Sequence, residues 1–240
     1  IDVIVGGTAA DIISGGDGND TITGSGGNDT INGEGGNDTI TASVAGNYTV
    51  TGGAGTDSVD FGGTLTQADS FDGGDGTDTL TLNNDSVTAV KALTVSQINT
   101  LNAGIANVEI LDFGTTLAQD IDLGRLDGLS NLKIGNLAGG TVISGVAATN
   151  NIEIAATTGQ TMSIALTDAT GAADVVNINL KASAVVNANT ITTANVETVN
   201  ISGTDAAAAN VSAINILNLA ATKATSMVVT GNDGLNLTNT

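Results

Sequence analysis

A nine-residue unit recurs through the first third of the chain and leaves it few folds to choose from. Between Gly6 and Thr81 the sequence reads GGTAADIIS, GGDGNDTIT, GSGGNDTIN and GEGGNDTIT, then an imperfect copy, then GGAGTDSVD and, after an insertion, GGDGTDTLT. Gly opens each regular copy, Asp holds the sixth position and a branched apolar residue the eighth. The sixth positions are Asp11, Asp20, Asp29, Asp38, Asp57 and Asp78, and the eighth are Ile13, Ile22, Ile31, Ile40, Val50, Val59 and Leu80. A short fixed period marks a stack of repeated units, each covering its neighbour.

The period dictates the geometry. One apolar residue with a neighbour on each side makes a three-residue strand with a single inward side chain. The glycines supply the positive φ of a tight turn. One unit reverses the chain once, so two units, eighteen residues, complete a coil. Copies n and n+2 then stack at the strand spacing of about 4.8 Å. This predicts Asp11 under Asp29 on one edge and Asp20 under Asp38 on the other. It also predicts an Ile13–Ile31 ladder in one sheet and an Ile22–Ile40 ladder in the opposite sheet. GGxGxD is complete in Gly15–Asp20, Gly52–Asp57 and Gly73–Asp78, which brings in Gly15, Gly16, Gly18, Gly52, Gly53, Gly55, Gly73, Gly74 and Gly76. Ser25 and Glu34 replace the second Gly in two copies, and Ala9 the fourth in another. Tyr48 stands where an Asp belongs, and an insertion separates Asp60 from Gly73, within which Asp69 and Phe71 keep the Asp-x-apolar spacing. Regular stacking is expected to fail at these two places.

Charge decides what the turns require. Residues 1–90 carry fourteen acids and no base, out of a formal net charge of -20. Such a surface repels nucleic acid and anionic lipid. Carboxylates stacked at strand spacing repel by about 0.9 kcal/mol per pair even in a water-like dielectric, and a cation between them reverses that sign. With no His and no Cys, the donors are oxygens alone, which select a hard ion. A flexible loop of carboxylates and carbonyls suits Ca²⁺ better than the rigid octahedron of Mg²⁺. Several such ions are expected. Asp17, Asp60, Asp72 and Asp75 fall outside the ligand position and read as solvated acids. Asn-Asp-Thr at Asn19, Asn28 and Asn37 has the form of a glycosylation acceptor, but the repeat explains it better.

These residues resemble the RTX nonapeptide of calcium-binding parallel β-rolls. The resemblance implies that each Ca²⁺ is shared by Asp carboxylates and loop carbonyls of two stacked turns. Its ligands would be Asp11, Asp20, Asp29, Asp38, Asp57 and Asp78 with the glycines named above. Asp69, Asp168 and Asp174 are further candidates. Asp174 has Val176 two positions on, as in the repeats, and Asp233 reads as a turn residue.

Beyond residue 82 the glycines thin out. Residues 83–106 read as a connector with one short amphipathic helix over TVSQINTLNA, Thr94–Ala103. From residue 107 short alternating strands recur: Asn107-Val-Glu-Ile, Asn131-Leu-Lys-Ile, Asn151-Ile-Glu-Ile and Asn195-Val-Glu-Thr. The expectation is an all-β chain: a right-handed parallel β-roll over 1–82 continuing into a wider parallel β-solenoid of about 22-residue rungs over 107–240. A β-sandwich is the alternative for 83–240.

ANVETVNISGTDAAAA and MVVTGNDGLNLTNT, within residues 194–240, resemble calcium-dependent RTX surface-layer proteins of Caulobacter-type bacteria. That resemblance implies self-assembly into a lattice or polymer on the bacterial cell surface and type I secretion. It also implies attachment, through regions outside this chain, to cell-surface polysaccharide. Solenoid ends need caps, so a piece of a larger protein is expected. No apolar run approaches the length of a transmembrane helix. Without His or Cys, and with four aromatics to line a cleft, no catalytic constellation is legible, and the chain reads as structural rather than enzymatic. An RTX adhesin or matrix module, or the accessory repeat domain of a secreted enzyme, is the alternative function.

Overall fold

A computed structural model describes residues 1–240 except 43, 63–64, 127, 138–139, 157–159, 172, 183–184, 206–213, 232–233 and 240, and leaves the side chains of 115, 182 and 205 undescribed. Asp233 therefore lies outside the described residues. The chain divides into two compact units, one of residues 1–114 with 126–129 and one of residues 115–125 with 130–240.

In the first unit each nonapeptide becomes one strand, and the strands alternate between two sheets. β1 (Val3–Val5), β3 (Thr21–Thr23), β5 (Thr39–Thr41), β7 (Ser58–Asp60) and β9 (Thr79–Thr81) stack in one. β2 (Ile12–Asp17), β4 (Thr30–Gly35), β6 (Thr49–Gly55) and β8 (Ser70–Gly76) stack in the other. All these pairings are parallel. Ile22, Ile40, Val59 and Leu80 register on one another, and Ile13, Ile31, Val50 and Phe71 do so opposite. All eight are buried. The core is thus one inward side chain per strand, as the period requires.

The two irregularities do not break the stack. Thr49–Ala54 pairs with Thr30–Gly35 despite the inserted residue before Tyr48, and Ser70–Gly76 pairs with Thr49–Gly55 despite the longer insertion. Loop length varies at the edge, while the apolar position returns to the same face. The insertion packs inward through Leu65, whose N–H donates to Ser86 Oγ; Ser86 Oγ–H in turn donates to the Gly62 carbonyl.

The connector holds two helices where one was expected. α1 (Asn84–Ala92) is capped by Asn83, whose side chain accepts from the Asp85 and Ser86 N–H groups. α2 (Val95–Gly104) starts at a Thr94/Gln97 capping box and buries Ile98 and Leu101. The chain then re-enters the sheets as β10 (Ile105–Ala106), paired with β8, and β11 (Ile110–Leu117), whose first residues pair with β9.

The second unit is also built of parallel strands. One sheet orders β13 (Asn131–Leu137), β15 (Asn151–Ile154), β17 (Val175–Ala182), β19 (Thr198–Asp205) and β21 (Ser226–Gly231). The other orders β12 (Ile121–Asp122), β14 (Thr141–Val146), β16 (Met162–Leu166), β18 (Asn187–Thr193), β20 (Ile214–Ala220) and β22 (Gly234–Asn239). Paired residues in the first of these sheets lie from 20 to 28 positions apart. Leu132, Ile152, Ile178 and Ile201 ladder inward. Outward, Asn131, Asn151, Asn177 and Asn200 register, with Asn151 Nδ2 donating to Asn131 Oδ1 (3.0 Å) and Asn200 Nδ2 to Asn177 Oδ1 (2.8 Å). A β-sandwich over 83–240 is ruled out for the described residues: sandwich strands pair antiparallel, and these pair parallel throughout. No helix among the described residues is long and apolar enough to cross a membrane.

Candidate metal centre

Alternation of the sheets sorts the loops onto two edges, and the edges differ. The loops ending in Asp20, Asp38, Asp57 and Asp78 lie on one edge. Those ending in Asp11, Asp29, Tyr48 and Asp69 lie on the other. All three complete GGxGxD copies fall on the first edge.

On that first edge the aspartates form a continuous ladder. The Asp20 N–H donates to Asp38 Oδ1, Asp38 N–H to Asp57 Oδ1 and Asp57 N–H to Asp78 Oδ1, each at 2.8 Å. One carboxylate oxygen per residue is consumed in stitching the coils together. The second, Oδ2, is buried and has no hydrogen-bond partner in Asp20, Asp38, Asp57 and Asp78. Buried carboxylate oxygens without partners are costly. Burial pushes the Asp57 carboxyl above its ordinary range, against the lowering hydrogen bond from Asp38, and the Asp38 and Asp78 charges add to the rise. Asp78 is likewise raised, first by burial and then by Glu109 and Asp72.

Each unpartnered oxygen faces the first glycine of its own loop and a carbonyl from the next coil. A methyl placed on Gly15 would sit 2.8 Å from Asp20 Oδ2 and 2.8 Å from the Gly33 carbonyl oxygen. On Gly52 it would sit 2.5 Å from Asp57 Oδ2 and 2.6 Å from the Gly73 carbonyl. Gly33 repeats the pattern with Asp38 and the Gly52 carbonyl. The first glycine is therefore fixed by close approach, while Gly16, Gly53 and Gly74, with φ of 89°, 118° and 95°, are fixed by turn conformation. No group of three or more acidic side chains converges among the described residues. A cation here draws on one or two carboxylates plus main-chain carbonyls, an all-oxygen set that suits Ca²⁺.

The second edge keeps fewer of these features. Asp11 N–H donates to Asp29 Oδ1 (3.0 Å), and Asp29 Oδ2 is buried without a partner. Asp11 is half-buried, and its Oδ2 accepts from the Gly7 N–H at 2.6 Å. Tyr48 then replaces a ligand with a plug. A methyl on Gly24 would meet Asp29 Oδ2 at 2.8 Å and Tyr48 Cε1 at 2.9 Å, so the ring lies where the other loops bring a carbonyl. The Tyr48 hydroxyl donates to the Val44 carbonyl (2.9 Å) and lies against the Ser25 carbonyl, and the ring meets Phe61 edge-on at 6.4 Å. The Tyr48 N–H still donates to Asp69 Oδ1 (2.8 Å), so the ladder passes through it. Asp69 Oδ2 accepts from the Thr66 N–H and Oγ1–H, which makes that residue a cap for its own loop.

Asp168 and Asp174 part company. Asp168 is exposed, and Thr170 donates to it twice, holding its carboxyl below the ordinary value. Asp174 has a buried, unpartnered Oδ2, and its N–H donates to Glu197 Oε2 at 3.1 Å. Burial, then Glu197 and Asp168, raises its carboxyl. Among the residues read as solvated acids, Asp72 accepts from Asn107 Nδ2 (2.7 Å) and Asp60 from the Gly62 N–H (2.6 Å). Asn19, Asn28 and Asn37 use their Oδ1 atoms to accept main-chain N–H groups one coil on.

Glu109 and Glu197 were not among the residues expected from sequence. Glu109 Oε2 accepts from the Asp78 N–H at 2.9 Å, as a repeat aspartate would. The signal was present: each Glu has an apolar residue two positions on, Leu111 and Val199, and each follows an Asn two positions before it. Asn107 and Asn195 both adopt positive φ, 52° and 56°. Asn151-Ile-Glu-Ile looks alike but differs, since Asn151 already lies in a strand and Glu153 pairs outward with Lys181 at 3.4 Å.

Stacked parallel coils with aspartate-lined turns make the first unit a parallel β-roll. RTX calcium-binding nonapeptide repeats, in four copies, match residues 1–42 and 65–87. The match lapses over 43–64, where Tyr48 and the start of the insertion lie, although β6 and β7 within that span keep their parallel pairing. A search of curated proteins found no match.

Proposed function

We propose that this chain is an extracellular structural module whose nonapeptide unit is held folded by Ca²⁺, and that it serves as a self-assembling component of a bacterial surface layer. The observation that carries the calcium reading is the row of buried, unpartnered Oδ2 atoms of Asp20, Asp38, Asp57 and Asp78, each facing a carbonyl one coil away. These four residues, Asp29 and the first-position glycines hold the ions. The bound cation supplies the positive charge that the first ninety residues lack. The protein's own part is to fix one carboxylate oxygen in the coil ladder and aim the other. Asp11 contributes through an oxygen already shared with Gly7. Asp69 and Asp168 act as loop caps rather than ligands. No enzymatic role is proposed.

Secretion to the cell exterior accords with the RTX repeats. The surface-layer assignment rests on the likeness of residues 194–240 to such proteins, and its partners are further copies of the chain. An RTX adhesin or matrix module uses the same roll and makes the opposite prediction. Far-UV circular dichroism in chelator and across a Ca²⁺ titration tests the first part: the roll is only marginally folded in chelator and strand signal grows at roughly 0.1–1 mM Ca²⁺, and strand content unchanged by chelation refutes it. Electron microscopy of the calcium-loaded protein tests the second. Ordered two-dimensional arrays support a surface layer, and a monomer that stays monodisperse in millimolar Ca²⁺ leaves the adhesin reading.

A further inference from the structure

We propose that Glu109 is a calcium ligand, closing with Asp78 and the Asn107 carbonyl a site whose second turn is not glycine-rich. The proposal rests on the calcium reading above and adds residues 107–109, which lie outside the matched repeats.

The turn between β10 and β11 does the work of a nonapeptide loop in fewer residues. Ile105 registers on Phe71, and Ile110 on Thr79. Asn107 therefore stands in the place of Gly73 and Glu109 in that of Asp78, with three residues fewer between the strands. Asn is among the few side chains that tolerate the left-handed φ of 52° found at position 107, and its Nδ2 is tied to Asp72. The longer Glu side chain reaches the position that Asp occupies in the other turns. Its Oε2 accepts the Asp78 N–H, and the Glu109 and Ile110 N–H groups donate back to the Asp78 carbonyl at 3.1 and 2.9 Å.

What points to an ion is Asp78 itself. It is fully buried, and its Oδ2 has no partner. The open face of Gly73 meets that oxygen: a methyl carbon placed there would sit 2.6 Å from it, and closer still to the Asn107 carbonyl oxygen. Carboxylate, carbonyl and the neighbouring Glu109 carboxylate form the set seen one coil earlier with Asp57 and the Gly73 carbonyl. Glu109 brings a second negative charge toward a buried one, which stabilises only with a cation present.

The test is a count of bound ions on the full chain by equilibrium dialysis against radioactive Ca²⁺. Glu109→Gln keeps an acceptor for the Asp78 N–H and removes only the charge. Glu153→Gln, at the surface beside Lys181, controls for lost charge. Glu109→Gln is expected to bind one equivalent fewer than wild type and Glu153→Gln the full number. A full complement in Glu109→Gln with unchanged affinity overturns the proposal alone; a wild type that binds no Ca²⁺ overturns the calcium reading with it. Hydrogen exchange on the wild type serves if the variant does not fold. Slower exchange at Asp78, Glu109 and Ile110 on saturation with Ca²⁺ is expected, and exchange there unchanged by Ca²⁺ overturns the assignment.

Discussion

Adding one methyl group at Gly33 separates a cation site from a merely tight turn. The methyl would fall against Asp38 Oδ2 and 2.5 Å from the Gly52 carbonyl oxygen. Neither neighbour yields easily: Asp38 is buried with Oδ1 bound to the Asp20 N–H, and Gly52 lies within β6. Gly33 is not in the left-handed region, so backbone strain plays no part. Overpacking of this kind costs about 1–3 kcal/mol. Loss of the ion adds about 2.7 kcal/mol when Ca²⁺ is at a hundred times its dissociation constant, about 10 mM for a 0.1 mM site. Gly33→Ala should therefore lose about 4–6 kcal/mol in Ca²⁺ but only about 1–3 kcal/mol in chelator. Gly35→Ala is the control: its methyl would meet nothing closer than Asp17 Oδ1 at 3.6 Å, and a change within about 0.5 kcal/mol is expected. Urea unfolding followed by circular dichroism, with and without Ca²⁺, reads both quantities. If Gly33→Ala keeps the wild-type increment between chelator and Ca²⁺, the space beside Gly33 holds no ion and the reasoning fails.

Acid should act in opposite directions on the two forms. In chelator, the Asp57 and Asp78 carboxyls are raised from 3.8 by burial; the folded state then holds more protons than the unfolded one, so these groups favour folding below 3.8 and lose that contribution as pH climbs through their folded values. With Ca²⁺ the deprotonated form is required, and stability falls on acidification; parallel pH series of thermal melts showing the same sign in both buffers would contradict this. Tyr48→Phe leaves the Ser25 and Val44 carbonyls without the hydroxyl, and should cost about 1–3 kcal/mol with the number of bound Ca²⁺ ions unchanged by dialysis, because the ring still plugs that loop. Thr94→Ala removes the capping box of α2 and should cost about 1 kcal/mol, seen as faster hydrogen exchange over Val95–Gly104 with the β8–β10 pairing retained.

How much was legible depends on the range of the interaction. The alternation of inward apolar residues and outward threonines is set by neighbours two positions apart, so the Ile22–Ile40 and Ile13–Ile31 ladders followed from the period alone. The capping box at Thr94 is equally local, and the helix after it was placed to within a residue. Asn83 is a good cap too, but α1 pairs a weak apolar stripe with polar neighbours, and only its packing of Val87 and Val90 and the Ser86 contact with Gly62 reveal it. The expected failures at Tyr48 and at the insertion did not occur, because a loop absorbs extra residues at the edge so long as the next apolar residue returns to the core.

The sequence by itself determined the coil: two nine-residue units per turn, parallel ladders, and aspartates facing one another every second copy, since strand periodicity and glycine turns leave no other stacking. It also determined that the donors are oxygens. Only the tertiary structure decided which aspartates keep an oxygen free, that Asp69 spends one oxygen on the Tyr48 N–H and the other on Thr66 of its own loop, that Tyr48 closes one edge, and that Glu109 takes the place of a repeat aspartate. Most of those outcomes depend on partners 18 to 31 residues away, brought into contact by coil closure; the Asn-x-Glu-x-apolar spacing marks the Glu109 turn, but not the partner that arrives there.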